Sequence, residues 1–192
     1  MGALVGATLL MAASHLGPGW PGVKPRLMAA MGRGPYMAAY SALSLGALVF
    51  LVWAWQATDP APSPLDLGLG WKRAAVLLMP VPLFLMLARV TTREGGIHTL
   101  VRAPGSVGVT LWALLHLFAV SDARGAVVFA GFALIGLGSL RKNLALAPPH
   151  PTRVDWRGIG LWRPAATLAL WAGLLALHPL ALGVAPAAYL RT

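Results

Sequence analysis

Cysteine is absent from the 192 residues, which excludes disulfides, thiolate metal sites, iron–sulfur clusters and a cysteine nucleophile. Acidic residues are nearly as scarce: the five are Asp59, Asp66, Glu94, Asp122 and Asp155, each in an expected loop or helix end. No two of them can meet inside an apolar helix, so a carboxylate proton relay and two-carboxylate glycosyl chemistry are ruled out. Charge of any sign is short, at 10% of residues against 58% hydrophobic, where soluble domains carry about a quarter. A water-exposed surface cannot be built from that composition. A cleavable leader is also missing: no basic stretch opens the chain, and the first apolar run ends at His15 rather than in small residues, so it is expected to stay as a helix.

What is present is apolar and interrupted at intervals. A bilayer span needs about 20 mainly apolar residues. Six stretches approach this, at roughly 2–17, 36–57, 71–90, 105–121, 124–142 and 161–186. They are separated by helix-breaking runs: Gly17 to Gly22, Asp59 to Pro64, Glu94-Gly95-Gly96, Ser121-Asp122 and Pro148 to Pro151. The sequence therefore predicts an all-α polytopic membrane bundle of about six helices, one domain over residues 1–192, without an internal repeat.

The formal net charge of +10 would suggest nucleic acid in a soluble protein. Here the cations sit in short segments between apolar runs, where they orient helices, and no nucleic-acid partner is expected. Alternate loops divide Lys and Arg eleven against four; Lys72, Arg73, Arg124 and Arg191 form the smaller group. The richer side is expected to be cytoplasmic, which sets the protein in the inner membrane with both termini periplasmic.

With thiols gone and carboxylates confined to loops, histidine is the remaining versatile ligand. His98 and His150 fall in basic loops and are expected to be solvated, and His178 to sit at headgroup level. His116 shares a helical stripe with Gly105, Gly108 and Trp112, where the glycines admit a neighbouring helix or a flat ligand. His15 follows Thr8, Met11 and Ala12 on a similar narrow stripe. An intramembrane imidazole is a functional candidate, and equally an interhelical hydrogen-bonding group. A haem b held by two imidazoles would account for both residues. Straight helices set the two about 10 Å apart in depth, so such a haem would need tilt or a shifted first helix. On the fifth stretch, Gly131 and Gly136-Leu137-Gly138 permit close helix contact, within or between chains.

Several of these residues form a recognisable pattern. Ser14-His15, Arg33-Gly34-Pro35-Tyr36 with Tyr40-Ser41 and Ser44, and Arg102-Ala103-Pro104 with Gly108, Leu111-Trp112-Ala113 and His116 resemble the NnrU family of membrane proteins. The resemblance implies an association with nitrite and nitric oxide reduction in denitrification. It also implies similarity to 15-cis-zeta-carotene isomerase, a haem b enzyme with histidine ligands. Carried over by position, those ligands fall on His15 and His116, with Gly105, Gly108 and Trp112 lining the pocket. The expected function is then a haem b membrane protein, an isomerase-like enzyme acting on an apolar polyene (a carotenoid) by redox-linked rotation, or an electron carrier. The alternative is a non-catalytic membrane factor that helps respiratory reductase subunits mature. The family's Arg-His-Pro reads Arg102-Ala103-Pro104 here; that element is shared with membrane methyltransferases, and its missing histidine argues against methyl transfer.

Overall fold

The computed structural model of the protein describes residues 1–20, 22–91, 96–146, 153–160 and 162–191. The expectations for Glu94-Gly95, for Pro148 to Pro151 and for a solvated His150 lie outside the described residues. The described secondary structure is helical apart from one isolated bridge between Pro62 and Asp122. In order the helices are α1 (Gly2–Leu16), α2 (Val23–Met31), α3 (Arg33–Gln56), α4 (Leu69–Leu78), α5 (Pro80–Thr91), α6 (Ile97–Leu100), α7 (Pro104–Leu117), α8 (Ala123–Leu146), α9 (Trp156–Ile159) and α10 (Trp162–Leu182).

Four segments are long and apolar enough to cross a membrane: α3, α4 with α5, α8, and α9 with α10; α7 is a shorter apolar helix. The fourth, Trp156–Leu182, is only 6% buried, as expected of a helix whose surface meets lipid rather than protein. The six expected stretches correspond to α1, α3, α4 with α5, α7, α8 and α10. The sequence pattern did not announce α2, which carries no buried residue, or the two short helices α6 and α9.

The third stretch is broken where Pro80 follows Met79. Proline has no N–H, so it cannot donate to the carbonyl four residues back. That carbonyl belongs to Val76, and the indole N–H of Trp171 on α10 donates to it at 3.1 Å. A second indole does the same at the end of α7, where Trp71 Nε1 donates to the Leu115 carbonyl at 3.1 Å. Each tryptophan joins one helix to another by satisfying a backbone group that the second helix leaves open.

Packing runs in a single order, α3 on α1, α1 on α8, α8 on α7, α7 on α5, and α5 on α10. The glycines of α8 make its central place possible. A Cβ on Gly131 would fall 2.1 Å from Thr8 Cγ2, and one on Gly138 would fall 2.7 Å from Leu16 Cδ2, so both serve α1. A Cβ on Gly136 would fall 2.6 Å from Thr110 Oγ1 and 2.9 Å from the Thr110 backbone, so this one serves α7. The close approach allowed by the fifth stretch is thus used within the chain. The main buried cluster, built on Leu4, Ala7, Met11, Leu51, Ala54 and Ile135, lies where α1 meets α3 and α8.

Hydrogen bonds sort the connecting segments onto two ends of the bundle. At one end the 57–68 loop pairs with the turn after α7: Ser63 N–H donates to Ser121 O at 2.9 Å, Leu67 N–H to Phe118 O at 3.0 Å and Ala123 N–H to Ala61 O at 2.8 Å. Arg73 reaches the Tyr189 carbonyl at the same end. At the other end Arg102 donates to Leu144 O at 3.1 Å, and Gly96 N–H donates to the Asp155 carboxylate at 3.0 Å. The first end holds the smaller group of cations and the second the larger one.

Candidate functional site

His116 sits in the last turn of α7 with its ring stacked on Phe129 of α8, centroids 4.5 Å apart. Trp112 packs edge-on against Phe129 and Phe132. The Trp112 carbonyl accepts from His116 Nδ1 at 2.9 Å; a carbonyl can only accept, so Nδ1 carries the proton and Nε2 the lone pair. His178 on α10 is half-buried, and its Nδ1 donates to the Leu174 carbonyl at 2.7 Å.

His15 is placed differently. Thr8, Met11 and Ala12 are buried as their stripe predicted, but His15 is exposed at the end of α1. Its Nδ1 folds back onto the Met11 carbonyl at 2.9 Å and its neighbour Leu16 packs at Gly138 of α8. Gly138 lies nine residues beyond Phe129 on α8, about 13 Å along the axis. An iron bound by two imidazoles needs both ring nitrogens in one coordination sphere, and this arrangement sets His15 and His116 at different depths. The two residues therefore do not fit a haem held between them. Gly105 and Gly108 are filled too: a Cβ on Gly105 would meet Arg89 Cγ at 2.8 Å, and one on Gly108 would meet the Pro82 carbonyl at 2.9 Å. Both let α5 lie against α7, and no cluster of three or more metal-ligating side chains occurs among the described residues.

A concavity with a polar rim instead opens at the cation-rich end, between α5, α7 and α8, with a volume of about 510 Å³. Arg89, His98, Arg102, Ser106, Ser139 and Asn143 make its polar part, and Met86, Val109 and Ile135 the apolar part. Asn143 donates to Ser106 Oγ at 2.7 Å and ties α8 to the first turn of α7. Pro104 and Gly105 open that helix with no side-chain cap on its first amides. His98 corrects its expectation: it is half-buried in this wall, and its Nε2 is fully buried without a hydrogen-bond partner. The α6 segment that carries it is fixed by Asp155, whose carboxylate accepts from Gly158 N–H at 2.9 Å and Gly96 N–H at 3.0 Å. Those two amides, Gly158 first, hold the Asp155 carboxyl below the usual carboxylate range. Gly96 has a φ of +50° and a Cβ there would fall 2.7 Å from the Gly158 carbonyl, so only glycine fits this junction.

The opposite end is built from paired charges. Lys72 bonds Asp66 at 2.7 Å and Ser121 Oγ donates to the same carboxylate at 2.8 Å. Arg124 forms a two-nitrogen pair with Asp122 and lies over the Trp55 ring at 4.8 Å.

One further surface stands out. Gly34, Ala38, Ala42 and Gly46 recur every fourth residue along α3, all exposed, and nothing lies within 4 Å of a Cβ on either glycine. Around Ala42 and Gly46 a shallow groove of about 650 Å³ is rimmed by Leu45, Val49, Phe50 and Trp53.

A search of curated proteins and a search of solved structures give no match. A family model described as NnrU protein matches residues 3–186, nearly the whole chain, and with it the helices, the histidines and the cavity described above: this protein belongs to the NnrU family.

Proposed function

We propose that this protein is a six-span inner-membrane factor, both termini periplasmic, that supports nitrogen-oxide reductases by seating a transmembrane helix of a partner subunit on α3. The carrying observation is the small-residue stripe of α3 with its groove, because helices in lipid associate where small residues let backbones approach. The division of cations between the two ends supports the orientation, and the family's link to nitrite and nitric oxide reduction supplies the partner class. The test places a photocrosslinker at Ala42 and compares reductase maturation in cells with wild-type protein or Gly46→Leu. Crosslinking to a membrane subunit, and loss of active reductase in the variant at unchanged protein level, are expected. Crosslinks to lipid alone with full reductase activity would sink the reading.

A second reading, the haem b protein with a polyene isomerase or electron-transfer role, keeps one supporting observation: His116 is oriented through Nδ1 with its Nε2 lone pair available. No reaction step is derived for it, because the geometry does not bring His15 to the same place. The visible spectrum of the purified protein separates the readings. The first expects a colourless protein, whereas a Soret band at about one haem per chain would favour the second and require a ligand other than His15.

A further inference from the structure

The cavity at the cation-rich end has no part in partner docking or in the haem reading, yet its wall is built for a particular chemistry. His98 Nε2 is buried without a partner, and buried polar atoms in folded proteins almost always have one. Arg89 from α5 and Arg102 from the segment before α7 line the same space, and an arginine presents N–H groups in a fork that matches oxyanions. Among the described residues, no carboxylate lines it. The uncapped first turn of α7 adds a field of the same sign. One turn deeper the character changes, and Met86, Val109 and Ile135 give an apolar floor at bilayer depth. A volume near 510 Å³ lies within the range of small-ligand pockets of roughly 300–1,000 Å³.

We infer that this cavity binds an anionic amphiphile, a phosphate head on a single alkyl chain, with the head at Arg89, His98 and Arg102 and the chain along Val109 and Ile135. Turning the His98 ring toward the head gives its Nε2, which as it stands touches no open space, the partner it lacks, and the chain covers the apolar floor. The site is distinct from the α3 groove, so either can fail without the other.

The full-length protein in neutral detergent is tested by native mass spectrometry with three probes: lysophosphatidate, monoacylglycerol of the same chain length, and inorganic phosphate. The lysophosphatidate is expected as a single retained adduct, at least about tenfold over either other probe, since it alone uses both halves of the site. Arg89→Gln is expected to weaken it roughly tenfold. His98→Phe is expected to weaken it as well while leaving the melting temperature unchanged or higher, because it removes an unsatisfied buried nitrogen. Monoacylglycerol held as firmly would overturn the anionic head, and inorganic phosphate held as firmly would overturn the chain. Equal retention by wild type and Arg89→Gln, or a melting temperature lowered by His98→Phe with retention unchanged, would overturn the site altogether.

Discussion

The two ends of this bundle differ in what they do with charge. Where the 57–68 loop meets the turn after α7, Asp66 and Asp122 are matched to Lys72 and Arg124, and backbone bonds knit the loops together. At the opposite end the cations outnumber the acids, Asp155 is used on backbone amides, and a hollow remains beside Arg89 and His98. A fold that needed only to close its helices could have treated both ends alike. The first end holds its loops together by paired charge; the second leaves a hollow beside its cations.

Substitutions should separate these roles. The largest effect belongs to the helix both ends share: Gly136→Leu drives a Cβ into the Thr110 backbone and should cost about 3 kcal/mol. Thermal unfolding in detergent would show it, and a stability close to wild type would mean that α7 and α8 are less tightly coupled than their spacing implies. Next comes Trp71→Phe, which leaves the Leu115 carbonyl without its indole donor; interhelical bonds of this kind are worth about 1 kcal/mol. Trp171→Phe should cost about the same by opening the Val76 carbonyl at the Pro80 break.

Acid sharpens the comparison further. Lys72 lowers the Asp66 carboxyl and Arg124 lowers that of Asp122, so both bind protons more weakly folded than unfolded. Their contribution is complete above the unfolded value of about 4 and is lost as pH falls through the lower folded values. Protection of the 57–68 amides, measured as exchange relative to the intrinsic rate at each pH, should therefore fall below about pH 4, and Asp66→Asn should reproduce most of that at neutral pH, for about 1 kcal/mol or less. Protection that stays the same from neutral pH to about pH 3 would sink the claim that these pairs close that end. The smallest effect is expected from Asp155→Ala: faster exchange of the Gly96 and Gly158 amides with the melting temperature nearly unchanged.

Hydropathy and helix breakers made these helix starts legible within a residue and their ends within four: the expected 105–121 became Pro104–Leu117 and the expected 124–142 became Ala123–Leu146. What one sequence does not display is which helix lies beside which. The stripe through Gly105 and Gly108 is a true feature of α7, but the partner it admits is α5, a choice decided by Arg89 and Pro82 far away in sequence. His15 and His116 were both visible as helix-borne imidazoles offset in depth, while the place where α1 docks along α8 was not. His98 was misjudged because the α6 segment that carries it packs on α5 and α9, which composition cannot show. The four-residue repeat of small side chains on α3 could have been found by spacing alone.

The order in which the helices pack has a consequence for biogenesis. The glycine wall on which α1 packs belongs to α8, which emerges some hundred residues after it. At roughly 5–20 residues per second, α1 waits on the order of 5–20 s before that surface exists. During that interval α3 is its one large neighbour, and Thr8, whose hydroxyl finds no partner even in the finished bundle, faces lipid or an insertion chaperone. The first helix is made early and seated late, once α8 has been synthesised.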